Sequence, residues 1–511
     1  MTAGVPGGRR IWWRDGVLYQ IYPRSFQDTG GDGIGDLRGV TARLDHLEWL
    51  GVEGIWLNPT YPSPNDDWGY DVSDYLGVHP ELGTQDDLDE LIAEARRRGI
   101  RVLLDLVPNH TSDRHPWFRE RPDLYVWSDD PPNNWRSQFG GSAWSLDERS
   151  GRYYLHNFLP SQPDVDWWNE EVREEFDAIL RHWFDRGVAG FRIDVCHAIV
   201  KDRELRDDPA ATEADHPEYR TKGWRPVFSM NRPEVHDVMR RWRRIADRHA
   251  AGPGESPILV GETYVLDLED LVPFYGNGSD ELHLAFNFLF VHSPFDLDAL
   301  RAIVEHIEAH LPEGAWPVWT GSNHDAGRLT SRWCGDDEAL ARCALLMLLT
   351  LRGTPFLYYG DEIAMPEVAI APERRLDPVD RPRDKCRTPM QWGDRPFTTG
   401  EPWLPAGSSP DVASQRADPG STLHLVRDLI ALRREFASGP YATLPAPAGA
   451  WAWTRGEGFA AAINAGAREA AIAGIEGEVA IATDRERDGE RVAGTLRLAP
   501  AQAAVVRTRS R

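Results

Sequence analysis

The chain has 511 residues, too long for one simple core, so two or three domains are expected. Acidic residues outnumber basic ones 81 to 57, and the formal net charge of −24 speaks against a nucleic-acid or anionic-membrane partner. Four cysteines (Cys196, Cys334, Cys343, Cys386) show no CxxC spacing, which argues against zinc or a disulfide framework. Met1 to Arg10 lacks the apolar core of a signal peptide, and no run of about 18 apolar residues occurs. A cytoplasmic protein with reduced thiols and no membrane span is expected.

In chain order, Val17–Phe26 alternates apolar and polar residues and reads as a first strand. The loop that follows is dense in carboxylates and glycines. Asp28, Asp32 and Asp36 fall at positions 1, 5 and 9 of a calcium-loop spacing, with Gly33 at 6 and the Ile34 carbonyl at 7. Positions 3 and 12 are Gly30 and Gly39, so two side-chain ligands are missing. A solvated acidic turn and a structural Ca²⁺ or Mg²⁺ site both fit that spacing. A helix is expected over Leu37–Leu50, a strand over Val52–Leu57, and a second helix where Leu88, Leu91, Ile92 and Ala95 recur at helical spacing. Val102–Val107 is a third strand, running into Pro108, Asn109 and His110.

There the alternation stops for about sixty residues rich in Trp, Asp, Pro and Asn, too long for an ordinary loop. We read 110–168 as a small inserted domain. A helix near Glu170–Arg186 and the strand Gly190–Asp194 resume the pattern. Residues 199–232 are polar and irregular and are expected at the mouth of the site. Strand and helix signals then continue through Ile258–Glu262, Leu282–Phe288, Val318–Thr320 and Pro355–Tyr359. Eight strand–helix units predict an α/β fold, a closed (β/α)8 barrel. It occupies 1–109 and 169–438, with a second insertion at 361–420. The last stretch, 439–511, has short alternating runs and reads as an antiparallel β-sandwich.

In such a barrel the C-terminal strand ends build the active site. Here they carry His110, Arg192 with Asp194, Glu262, and His324 with Asp325. An Arg and an Asp two apart in an apolar strand first suggest a structural ion pair. Three carboxylates converging on one mouth suggest more, because mutual repulsion raises at least one pKa and suits a proton donor beside a nucleophile.

At these residues the chain resembles the α-amylase superfamily, the glycoside hydrolase family 13 enzymes, and most of all their α-glucosidase and oligo-1,6-glucosidase branch. Seven segments carry the resemblance in family order: Gly54–Pro59, Asp105–His110, Gln162–Trp167, Gly190–Asp194, Gly261–Thr263, Ser322–Asp325 and Gly353–Asp361. It implies Asp194 as nucleophile, Glu262 as general acid/base and Asp325 as the carboxylate that grips the distorted sugar, with net retention. Arg192 would hold Asp194 ionised, and His110 and His324 would donate to ring hydroxyls. Asp67 would bind the terminal glucose hydroxyls, Tyr70 would stack on the ring, and Arg387 would close the pocket against Asp67, taking one sugar from a chain end. The acidic loop also resembles that branch, where the Gly30 position is often Asn. Val195 resembles the residue of α-1,6-cleaving members, while His197 departs from the family's usual Asn and would alter the leaving-group pocket.

The expected activity is therefore exo-acting hydrolysis of short oligosaccharides or glucosides, with no cofactor required for chemistry. The alternatives are a glucosyl-transferring relative (a sucrose isomerase or trehalose synthase) and, from other classes, a non-catalytic transporter subunit or a metal-dependent hydrolase using His110, His197 and His324.

Overall fold

The computed structural model describes residues 10–252, 254–379 and 383–508. The stretch searched for a leader falls almost wholly on residues 1–9, outside them. Eight strands form one parallel sheet: β1 (Leu18–Ile21), β2 (Gly54–Leu57), β3 (Arg101–Leu106), β4 (Gly190–Ile193), β5 (Ile258–Gly261), β6 (Leu284–Ala285), β7 (Val318–Trp319) and β8 (Thr354–Tyr358). Their spatial order is β7-β8-β1-β2-β3-β4-β5-β6. Side chains from opposite staves fill the interior: Phe286, just past β6, lies 4.9 Å from Phe356 of β8 and 5.9 Å from Trp56 of β2, ring centre to ring centre. The sheet is a TIM barrel, as the alternation of strands and helices predicts.

Close strand pairing depends on one glycine beside the site. Gly190 has φ 153°, and a Cβ there would sit 2.3 Å from the Ile258 carbonyl oxygen. Only glycine lets β4 start that close to β5.

The expected helix over Leu37–Leu50 is two helices, α1 (Leu37–Ala42) and α2 (Leu44–Leu50), broken at Arg43. Arg43 leaves helical geometry to lay its guanidinium 4.1 Å over Trp392 and to donate to Gln27 at 2.8 Å. The first strand is also shorter than expected, because Pro23 opens a 3-10 turn and cannot donate to a ladder. Helix α3 (Gln85–Arg97) begins in a capping box between Thr84 and Asp87 and buries Leu88, Leu91, Ile92 and Ala95. The remaining crossovers include α4 (Glu170–Asp185), α5 (Val235–Arg248), α6 (Leu297–His310), α7 (Glu338–Thr350) and α8 (Thr422–Arg433).

The chain leaves the barrel at His110 and returns where His110 bridges Asp164 backbone to backbone. Between them lies a small antiparallel sheet (Trp127–Ser128, Arg152–Leu155, Trp144–Asp147) over a separate core of Trp135, Ala143, Trp144 and Leu155. The C-terminal strands β9 (Tyr441–Leu444), β10 (Ala450–Arg455), β11 (Phe459–Asn464), β12 (Ala470–Ala482), β13 (Arg491–Leu498) and β14 (Gln502–Thr508) are all antiparallel. Their ladder runs unbroken in the order β9-β10-β11-β14-β12-β13, one sheet rather than the two of the expected sandwich. Register shifts near Ala473 and Val479 bend β12, so a single sheet encloses its own core.

Candidate active site

Arg192, pointing inward from β4, organises the floor of the barrel mouth. Its Nη1 donates to Asp105 at 2.8 Å and to Asp194 at 2.7 Å, and its Nη2 donates to Glu262 at 2.6 Å. Trp56 lies 4.9 Å beneath the guanidinium, and the side chain is buried. Three carboxylates around one buried cation are tolerable only because each takes a charge-assisted hydrogen bond.

Asp194 and Glu262 are each anchored through one oxygen. Glu262 Oε2 also accepts from the Val195 backbone N–H at 2.9 Å, and the Asp194 and Glu262 carboxyls lie close enough to hydrogen-bond each other. Val195 holds its N–H in that direction at φ 33°, ψ 44°, a left-handed conformation uncommon for a β-branched residue. Burial pushes the Asp194 carboxyl well above the ordinary range; Arg192 opposes this, and Glu262 and Asp105 add to it. Burial likewise lifts Asp105 to about 6 against the pull of Arg192 and Tyr70.

A relay of hydrogen bonds sits behind this floor. Gln20 Nε2 donates to His324 Nδ1 at 2.9 Å, which puts the histidine proton on Nε2. That Nε2 lies 2.6 Å from the Tyr70 hydroxyl, and Tyr70 in turn donates to Asp105 at 3.0 Å. Tyr70 and His324 stack with their rings 7° from parallel. His324 is fully buried and burial holds it well below the usual histidine range, so it is neutral. Its Nε2 also lies 3.3 Å from Asp325.

Asp325 enters from the loop after β7. Burial would raise it, but Arg383 and Arg387 together hold it well below the ordinary carboxylate range. Asp325 Oδ1 accepts from Arg387 at 2.8 Å and from Arg383 at 3.0 Å.

Arg383 corrects the sequence reading. Arg387 was expected to pair with Asp67. Instead Arg383 donates to Asp67 Oδ1 at 2.7 Å, while Arg387 is buried beneath the pocket against Asp325 and the His324 carbonyl. The two arginines are four apart in one segment with no strong periodicity, so only the path of the loop chooses between them. Gln162 was also missed as a site residue. It donates to Asp67 Oδ2 at 3.1 Å and lies 3.2 Å from His110 Nε2, so the inserted domain helps hold the carboxylate. Its presence in the Gln162–Trp167 segment was the available signal. His110 accepts from Asn109 at Nδ1, leaving its Nε2–H directed at the Tyr70 carbonyl 3.1 Å away. Burial lowers His110 to about 4.

These groups open into one cavity of about 1330 Å³. Asp67, Tyr70, His110, Asp194, Val195, His197, Glu262, Asp325 and Arg383 all line it, whereas Arg192, His324 and Arg387 stand behind its wall. The 199–232 insertion does reach the mouth, through its short helix Pro217–Lys222.

The acidic loop has another use for its carboxylates. Asp28 accepts from the N–H groups of Gly31 at 2.7 Å and Gly33 at 2.9 Å and from the Thr398 hydroxyl. Asp32 accepts from Ile34 N–H at 3.0 Å, and Asp36 caps α1 through Gly39 N–H at 2.6 Å. The three carboxylates are thus each held in place by N–H donors within the loop. Among the described residues no three metal-ligating side chains converge, and His110, His197 and His324 form no such group.

The catalytic-domain model of the α-amylase family matches residues 20–438. The chain belongs to that family. It is a glycoside hydrolase of family 13, and its curated relatives extend over most of its length. It is 43% identical over 469 residues to a probable α-glucosidase of Rhizobium meliloti (strain 1021), covering 83% of each chain. It is 37% identical over 499 residues to an oligo-1,6-glucosidase of Heyndrickxia coagulans, covering 85% of this chain and 87% of that one. A solved α-glucosyl transfer enzyme superposes with a TM-score of 0.89 at 36% identity, over 98% of this chain and 100% of that one. No helix among the described residues is long and apolar enough to cross a membrane.

Proposed function

We propose that this family member is an exo-acting, retaining α-glucosidase that releases terminal α-linked glucose from short oligosaccharides or glucosides. One observation carries the reading: Asp194 and Glu262 share the Arg192 guanidinium, each through one oxygen, and the two carboxyls face the same cavity within hydrogen-bonding reach of each other. The nucleophile and the proton donor of a retaining pair need just such close placement on one cavity.

Asp194 Oδ2 attacks the anomeric carbon while Glu262 Oε1 protonates the departing glycosidic oxygen. The glycosidic bond breaks and a glucosyl ester forms on Asp194. Water then attacks that ester, giving its proton to Glu262 and returning the electron pair to Asp194, with net retention. Asp325, kept ionised by its two arginines, stabilises the oxocarbenium-like transition state through the sugar hydroxyls. Asp67, paired with Arg383 and Gln162, ends the pocket on the non-reducing side and makes the action exo. An α-1,6 preference is supported by Val195 and by the oligo-1,6-glucosidase relative.

The test is product analysis of wild type and Asp194→Ala on isomaltose, maltose, sucrose and trehalose. Glucose from wild type alone supports the reading. Equal turnover by the variant overturns the nucleophile. Rearranged disaccharides move the assignment to a glucosyl transferase, the second reading, which the α-glucosyl transfer neighbour favours.

A further inference from the structure

Behind the cavity wall, three buried side chains decide what His110 can do: Asn109, Asp164 and Lys201. A lysine ammonium carries only donors, and Lys201 directs them at oxygens. It meets Asp164 Oδ2 at 2.8 Å and the Ala198 carbonyl at 2.7 Å, and it donates to Asn109 Oδ1. Because an ammonium cannot accept, the Asn109 amide turns its oxygen toward Lys201 and its nitrogen away. Asp164 holds the other end, where Asn109 Nδ2 donates to Asp164 Oδ1 at 3.0 Å. The same Nδ2 lies 3.0 Å from His110 Nδ1. A cation on one side and a carboxylate on the other thus leave the amide one orientation, with a donor facing the imidazole.

The opposite ring nitrogen does not settle the tautomer by itself. His110 Nε2 lies 3.1 Å from the Tyr70 carbonyl oxygen, an acceptor, and 3.2 Å from Gln162 Nε2, a donor. Gln162 cannot reverse its amide, because its oxygen accepts from the Leu159 N–H at 2.9 Å and its nitrogen donates to Asp67 at 3.1 Å. A protonated Nε2 serves Tyr70, and a bare Nε2 serves Gln162. Burial lowers His110 to about 4, so at neutral pH the ring carries a single proton. The bond made by one ring nitrogen then fixes the state of the other. With the Asn109 N–H against it, Nδ1 accepts and the proton sits on Nε2.

We propose that Asn109 is a positioning residue: clamped between Lys201 and Asp164, it keeps His110 protonated at Nε2, so that His110 meets the sugar as a hydrogen-bond donor. The proposal rests on the α-glucosidase reading only for its ligand, and it names the contact, a lone pair of a sugar hydroxyl oxygen. His110 lines the cavity that Asp67 and Tyr70 also line, and Gln162 links it to Asp67. The same clamp reaches the loop after the nucleophile, because Lys201 also holds the Ala198 carbonyl.

The test reads the imidazole directly, in protein made with isotope-labelled histidine. Long-range proton–nitrogen correlation spectra at neutral pH are expected to show His110 protonated at Nε2 and bare at Nδ1. The signal lost in His110→Gln assigns it. Asn109→Asp puts an acceptor of the same shape against the ring and is expected to place a proton on Nδ1. In steady state its kcat/KM for the best of isomaltose, maltose, sucrose and trehalose should fall about tenfold or more, the scale of one disturbed hydrogen bond to substrate. A purely structural Asn109 would lower the melting temperature of the variant and leave the ring's protonation alone. A wild-type proton on Nδ1, or an Asn109→Asp protein whose Nδ1 stays bare, overturns the proposal, and the first needs no variant to fold. Unchanged kcat/KM in a variant whose proton has moved also overturns it. Wild type that carries the Nε2 proton yet releases glucose from nothing sinks the hydrolase reading and leaves the role of Asn109 standing.

Discussion

Arg383 and Asp67 meet at 2.7 Å, and the same guanidinium reaches Asp325 at 3.0 Å and Asp377 at 2.8 Å. One side chain from the 361–420 segment thus ties Asp67 to Asp325 across the cavity. Removing one partner of a buried ion pair costs roughly 3–5 kcal/mol, which as lost transition-state binding is about two to four orders of magnitude in rate. Arg383→Ala is expected to lower kcat/KM on isomaltose by about a hundredfold or more. Arg383→Lys, which keeps the charge but not the fork, should recover only part of it. Steady-state kinetics check this, and an unchanged Arg383→Ala would remove the residue from the pocket.

Arg192 sets the acidic edge of activity. Burial raises Asp194, and the nearby guanidinium opposes that rise. The acidic limb of kcat/KM should therefore lie above the ordinary aspartate value of about 3.9. Weakening the contact in Arg192→Lys should move that limb to higher pH. A pH–rate profile of the two proteins, with the limb unmoved, would refute the coupling.

Stability carries its own pH signature away from the site. Burial lifts Asp361 to about 7 and Asp71 to about 6, above the ordinary carboxylate range. Between about pH 4 and 7 the folded chain holds protons that the unfolded chain has released. Stability conferred by these neutral carboxyls is present at low pH and is lost as pH rises through 6 to 7. Asp361→Asn keeps an acceptor for the Ser322 hydroxyl and removes the titration, so its melting temperature should fall less steeply than that of wild type across that window.

Lys201 stitches the inserted domain to the loop behind Asp194. Its ammonium pairs with Asp164 at 2.8 Å, donates to the Ala198 carbonyl at 2.7 Å and also bonds Asn109, all in a buried setting. Lys201→Met leaves Asp164 without its cation and is expected to cost about 3–5 kcal/mol, read by chemical denaturation. A loss under about 1 kcal/mol would mean that the N–H donors around Asp164 suffice alone.

In the acidic loop, Asp28, Asp32 and Asp36 already accept from backbone N–H groups. Dialysis against a chelator should leave the melting temperature unchanged. A fall reversed by added Ca²⁺ would show that the loop rearranges around a cation.

Much of this protein is legible in the linear chain. Strand and helix periodicity determines eight alternating units, and parallel strands in a barrel all end on one face. Asp194, Glu262 and Asp325 therefore come to the same mouth from β4, β5 and the β7 loop without any long-range information beyond that alternation. Side-chain pairing across the mouth is another matter. Arg383 and Arg387 have the same chemistry at nearly the same place in the chain, and their partners were exchanged in the sequence reading. The stacking of His324 on Tyr70 is likewise encoded in no local pattern. The break at Arg43 follows from Trp392, some 350 residues away in the chain. Local pattern by itself determined the elements, their order and the residues at the strand ends, because propensity and amphipathic spacing act over a few residues. Only the tertiary structure decided which guanidinium meets which carboxylate, because those contacts depend on the paths of irregular segments that no periodicity encodes.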